Sequence, residues 1–325
     1  MSADLVAGTR SDAFGPLTSE LLTVSDGHHV HVESVGRVGG IPAVYLHGGP
    51  GSGCQADHRR LFDPERFHAV LFDQRGSGRS RPKGLRDHNT LAHLIADMEM
   101  IREKFSFARW MVVGGSWGAT LALAYAQAYP ERVLGIVLRA TFLGTRAELD
   151  AAFLKTLPRF YPALSEDFLG LLPENERTRP LESYWRRILD SDVTVHAPFA
   201  RAWHDTERIL SEVSPSRTRL DLASLTSTGP LPATPFMEAH YFGNDCFMRR
   251  NQLLEDAARL NGIPGVIVQG RYDLLCPPAT SHALAASWPG AELRIMEGAG
   301  HTLYDPGVRN AVMKGIADVA SRMTR

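Results

Sequence analysis

The sequence predicts an α/β architecture, a mostly parallel central sheet flanked by helices and interrupted by an inserted helical cap domain. Three observations predict it. Short apolar runs at residues 43–46, 69–72, 110–113 and 133–138 alternate with helical patterns such as 91–104, the alternation that buries a parallel sheet between helices. After residue 142 the strand signal stops, and helix-period segments such as "RAELDAAFLKTL" and "LESYWRRILD" follow one another with prolines between them. Strand-like runs return at 265–269 and 293–296, with a closing helix from Val308 onward. Residues 1–142 and 248–325 are therefore expected to form one core, with 143–247 as the cap.

Taken in order, "LLTVSDGHHVHVESVG" alternates around Asp26-Gly27, a dipeptide suited to a tight antiparallel hairpin because glycine accepts positive φ. The four apolar runs follow. The third leads into "VVGGSWGATLALAYAQAYP", where a β-branched run passes through glycines and a serine into an alanine-rich helical pattern. Inside the cap, "TSTGPLPATPF" at 226–236 reads as a proline-stiffened loop.

A chain of 325 residues with 44% hydrophobic and 22% charged residues can bury a large core. Its 35 basic and 36 acidic residues leave a formal charge of −1, so no global field draws it to nucleic acid or to an acidic membrane. The opening "MSADLVAGTRSDAFGPL" has neither the basic start nor the apolar segment of a secretion signal, and no long apolar run suggests a membrane span. A soluble, cytoplasmic protein is expected. Cys54, Cys246 and Cys276 are too scattered for a disulfide framework, and no Cys/His spacing suggests zinc. Reduced thiols, no metal and no cofactor are the expectation. Nothing in the sequence selects an oligomeric state.

Gly114-Gly115-Ser116-Trp117-Gly118 matches G-x-S-x-G at a predicted strand-to-helix junction, the context of the nucleophile elbow of the α/β-hydrolase fold. Such a turn lifts the serine hydroxyl above the sheet beside a helix N-terminus. A serine hydroxyl is a poor nucleophile at neutral pH and needs a base oriented by a third group. Asp273 follows the run 265–269 and His301 the run 293–296, giving the chain order Ser, Asp, His that this fold requires. Asp305 comes after His301 and breaks that order. An oxyanion hole needs backbone N–H groups; the glycine-rich "YLHGGPGSG" offers Gly49, and Trp117 follows the nucleophile. His47, ahead of two glycines, reads as a residue that pins this loop. Asp73, Arg75 and Arg79 in "FDQRGSGRS" read as a structural charge network below it.

Together, "HGGPGSG", "LFDQRGSGRS", "GGSWGATLALAYAQAYPERV", "ARAWHDTE", "HYF" and "GRYDLLCPP" through "EGAGH" resemble the proline iminopeptidases, α/β-hydrolases that remove N-terminal proline. The resemblance covers most of the chain. It implies Ser116 as nucleophile, His301 as acid/base, Asp273 as its orienter, and the cap as the lid that recognises the substrate's amine. It also implies two carboxylates for a free α-ammonium, Glu207 in "ARAWHDTE" and Glu238 in "FMEAHYF", accompanied by Arg139 in "VLRATF". The implied substrate is a small peptide or amide with N-terminal proline or another small residue. The chain departs from the family pattern at Thr206, where a tryptophan is usual, and at Ser77, Leu91, Ala92 and Ala119. These changes leave the chemistry intact and touch the pocket, so an esterase, amidase or acyltransferase of specialised metabolism on the same scaffold stays open. A non-catalytic ligand binder has no need of the combined Ser, Asp, His and glycine loop. Cys276 lies close enough to Asp273 in the chain for modification of its thiol to interfere.

Overall fold

Asp26 and Gly27 both take positive φ, 60° and 76°, and the N–H of His28 donates to the carbonyl of Ser25 at 3.2 Å. The dipeptide thus closes the tight turn from β1 (Thr18–Thr23) to β2 (His29–Gly36). The computed structural model describes residues 14–323. Most of the N-terminal segment read above for a leader lies outside the described residues.

The strands β3 (Ile41–Leu46), β4 (Phe67–Asp73), β5 (Trp110–Ser116), β6 (Val133–Thr141), β7 (Gly265–Gly270) and β8 (Ala291–Met296) complete the sheet. Among the described residues it has eight strands in the order β1-β2-β4-β3-β5-β6-β7-β8. β2 pairs antiparallel with β1 and β4, and every later pairing is parallel. Alternate side chains feed two cores. Trp110 and Val112 join the cluster that includes Leu94 and Met98 of α1 (Leu91–Lys104) and Leu121 of α2 (Trp117–Ala128). Met111 and Val113 point the other way, into the cluster with Val312 and Ile316 near the C-terminus, as the two-residue period of a strand dictates.

Between β6 and β7 the described chain is helical or irregular. It runs through α3 (Arg146–Asp150), α4 (Leu157–Phe160), α5 (Pro162–Gly170), α6 (Pro180–Ile188), α7 (Val193–Ser211), α8 (Leu222–Leu225), α9 (Thr234–Phe242) and α10 (Gln252–Glu255). β6 then pairs directly with β7, Ile136 opposite Gly265, so the insertion leaves and re-enters the sheet between neighbouring strands. α11 (Pro278–Ser287) and α12 (Val308–Met323) finish the fold. Among the described residues no helix is long and apolar enough to cross a membrane.

Two local expectations need correction. The loop expected at 226–236 ends early, because α9 begins at Thr234 with Pro235 in its first turn, where a missing N–H costs the helix nothing. β6 outlasts its apolar run: Arg139 and Thr141 still pair with Gly115 and Ser116. Shortly after α9, Asp245, Cys246 and Phe247 take successive positive φ values of 49°, 52° and 56°, a conformation that costs L-residues about 1–2 kcal/mol each.

Candidate active site

Ser116 is the last residue of β5 and precedes α2, with φ 57° and ψ −125°, a sparsely populated conformation held by its surroundings. The flanking glycines are sterically required. A Cβ on Gly114 would lie 2.3 Å from the Gly118 carbonyl oxygen, and one on Gly118 would lie 2.1 Å from that of Leu46. Trp117 is fully buried, and its indole donates to Gln74 Oε1 at 2.8 Å. Gln74 in turn donates its side-chain amide to the His47 carbonyl (3.0 Å) and its backbone N–H to His47 Nε2 (3.0 Å). Burial holds the His47 imidazole below its usual pKa, which suits an acceptor at Nε2. The elbow and the glycine loop are thereby tied to each other. Below them, Arg79 pairs with Asp73 (2.8 Å) and Glu33 (3.1 Å), while Arg75 belongs to a separate buried pair with Asp97 (2.7 Å).

His301 Nδ1 lies 3.0 and 2.9 Å from the two oxygens of Asp273. The same carboxylate accepts the N–H groups of Leu275 (3.0 Å) and Cys276 (2.8 Å). Asp273 is fully shielded and His301 is 12% exposed by side chain, so the ring keeps one edge open while the acid is fixed. Ser116 and His301 face a common cavity of about 260 Å³, with Gly49, Glu207 and Glu238 also in its wall. Among the described residues the Ser116 hydroxyl has no hydrogen bond; such bonds are commonly loose before substrate binds.

The two glutamates come from different cap helices, Glu207 from α7 and Glu238 from α9. Trp203, one turn ahead of Glu207, donates its indole N–H to Glu238 Oε2 at 2.8 Å. Burial raises the pKa of both carboxyls, and Glu238 beside it pushes Glu207 up further. Two adjacent buried carboxyls do not ionise together readily. A bound cation reverses that balance.

Residues 42–308 match the family model of the alpha/beta hydrolase fold. Over 295 residues the chain is 41% identical to a proline iminopeptidase of Xylella fastidiosa (strain 9a5c), covering 90% of this chain and 93% of that one. It is 40% identical to a proline iminopeptidase of Arabidopsis thaliana over 295 residues, covering 90% of this chain and 77% of that one. The chain belongs to the proline iminopeptidase family of α/β hydrolases. A solved epoxide hydrolase from Vigna radiata shares the fold, with a TM-score of 0.60 and 17% identity over 94% of this chain and 98% of that one.

In this proline iminopeptidase family member the cavity adjoins a recess of about 40 Å³ beside Ser116, walled mainly by Phe142, Leu149, Ala152, Phe153, Phe242 and Cys276, with Glu148 and Glu207 also in its lining. A π-helical turn, Ala151–Thr156, carries two of these residues. Sequence reasoning missed the recess. Phe142 and Phe242 stood inside the quoted motifs "VLRATF" and "HYF", whereas Phe153 carried no signal. His204, Arg208 and Ser211 of α7 line the larger cavity and were also missed.

Arg139 departs from its expected place beside the glutamates. Its guanidinium donates to the carbonyl oxygen of His301 and packs where a Cβ on Gly115 would sit. It is absent from the residues lining the cavity. The cause is its register on β6, opposite Gly115 of β5, which directs it under the histidine loop. Thr206 is fully buried, with its hydroxyl on the Ala202 carbonyl at 2.8 Å, so it too stands outside the cavity wall. Asp273, Cys276 and His301 present potential ligand atoms within 4.8 Å of one another, but Asp273 and His301 already use theirs on each other.

Proposed function

We propose that this chain is a serine aminopeptidase that releases N-terminal proline, or another small N-terminal residue, from short peptides or amides. Its core comprises 1–142 and 248–325, and 143–247 is the cap that recognises the amine. Support comes from Glu207 and Glu238, which line the same cavity as Ser116 and His301. A buried carboxyl pair beside a serine and a histidine suits a substrate that carries a cation a few bonds from a reactive carbonyl.

In this mechanism Ser116 Oγ attacks the prolyl carbonyl carbon while His301 Nε2 takes its proton. Asp273 holds Nδ1 and stabilises the imidazolium. The N–H groups of Gly49 and Trp117 face the developing oxyanion. His301 then protonates the leaving amine, and water repeats the sequence on the acyl-enzyme. Glu207 and Glu238 hold the ammonium, and the recess beside Ser116 takes the apolar ring. Arg139 acts as a positioning residue for His301. Three buried free thiols fit a reducing cytoplasmic compartment.

The test compares proline p-nitroanilide with its N-acetyl twin and with a p-nitrophenyl ester. Turnover confined to the free-amine anilide is expected. Preference for the ester or the blocked anilide would turn the assignment to an esterase or amidase.

A further inference from the structure

Asp26, His88 and His93 lie outside the cavity and have no part in the chemistry above, yet three separate segments bring them together. Asp26 is at the tip of the β1–β2 turn, His88 is in the loop before α1, and His93 is in the first turn of α1. Their ligand atoms all lie within 4.8 Å of one another. His88 Nδ1 is 3.9 Å from Asp26 Oδ1, and His93 Nε2 is 3.7 Å from Asp26 Oδ2.

These separations are too long for hydrogen bonds. They match the spacing of two donors on one ion, since bonds of about 2.1 Å put adjacent ligands about 3–4 Å apart. We propose that Asp26, His88 and His93 bind a divalent transition metal ion of the zinc class. Two imidazoles and one carboxylate suit zinc, nickel or cobalt rather than calcium or magnesium, and three protein ligands on an exposed surface leave the remaining positions to water.

The surroundings hold these groups in place. His93 Nδ1 is hydrogen-bonded to Thr90 Oγ1 at 2.8 Å, which turns Nε2 toward Asp26, the outer-shell arrangement typical of a metal-bound imidazole. The carbonyl of His88 accepts from Arg75 Nη1 at 2.6 Å. Arg75 also lies 3.7 Å from Asp26, but its charge is already matched by two 2.7 Å hydrogen bonds to Asp97. Asp26 keeps a hydrogen bond with Ser25 and this more distant guanidinium, and both of its oxygens still face the histidines. His88 and His93 are 61% and 30% exposed by side chain, so an ion reaches them from solvent.

The site has a route to the cap. Asn89, between the histidine at 88 and α1, accepts from Tyr241 Oη at 2.7 Å and from His240 Nε2 at 2.7 Å through its carbonyl. Both partners lie on α9, the helix that carries Glu238. An ion joining the hairpin tip to this loop therefore stiffens the surface on which α9 rests.

The test uses the tag-free full chain, stripped with a chelator and dialysed. Zinc chloride is titrated by calorimetry, and cobalt chloride is followed by its visible absorption, in wild type, Asp26→Asn, His93→Gln and His29→Gln. Hydrolysis of proline p-nitroanilide in metal-free buffer checks that each variant folds. Wild type and His29→Gln are expected to bind one more equivalent than Asp26→Asn and His93→Gln, and to melt at higher temperature with zinc. Equal stoichiometry in all four proteins, or no saturable binding in wild type, would overturn the assignment.

Discussion

Replacing Glu207 by Gln is expected to lower activity and raise stability together. Burial, and secondarily Glu238 beside it, raise the folded-state pKa of Glu207 well above the ordinary carboxyl value of 4.5. A group raised in this way contributes stability that is fully present below its unfolded pKa and is lost as pH rises through the folded one. Glutamine cannot ionise and escapes the loss. The variant should equal wild type near pH 4 and exceed it near pH 9 by at least about 1 kcal/mol, or roughly 2 °C in Tm for a domain of this size. Activity moves oppositely. A hydrogen bond to a charged group contributes about 1.5–3 kcal/mol, so kcat/KM for proline p-nitroanilide should fall about 10- to 150-fold. Differential scanning calorimetry across pH and initial rates on the anilide check both halves. A variant less stable than wild type at alkaline pH, or one with undiminished kcat/KM, would refute the reasoning.

Three further outcomes follow from the geometry. Ser116→Ala should lose at least about 10⁴ in turnover while Tm stays unchanged, because the Ser116 hydroxyl has no hydrogen bond to lose; residual turnover near wild type would remove the serine from the chemistry. Arg139→Met should lower kcat about tenfold with little change in KM, because Arg139 holds the His301 carbonyl; a rise in KM at constant kcat would restore it to the substrate. Asp245→Gly should raise stability by about 1 kcal/mol, since Asp245 is exposed with φ 49°; a lower Tm would show that its side chain contributes more than the strain costs.

Most of the sheet was legible because its apolar runs alternate with helices. The ends were less so: β6 continues through Arg139 and Thr141 on backbone pairing alone, which hydrophobicity does not report. The prolines of 226–236 suggested a loop throughout, although Pro235 in a first turn is compatible with helix. Ser116, Asp273 and His301 stood out as candidates by motif and order, Ser116 closing one strand and the other two each following one. Glu207 and Glu238 were not legible as a pair from spacing, because they sit on two helices joined only by tertiary packing; the family resemblance brought them forward. Phe142, Phe153 and Phe242 line the recess with side chains that any apolar core would also bury. Arg139 shows the opposite failure. The motif named the residue, but only the strand register reveals which neighbour it meets.

The most direct test of the central claim is a proline-derived diphenyl phosphonate offered with a free amine or an acetylated one, followed by intact mass and peptide mapping. Labelling of Ser116 is expected, at least about tenfold faster with the free amine, as the paired carboxyls of Glu207 and Glu238 require. Labelling at another residue, or equal rates with both probes, would contradict a serine nucleophile that works under an amine-binding carboxylate pair.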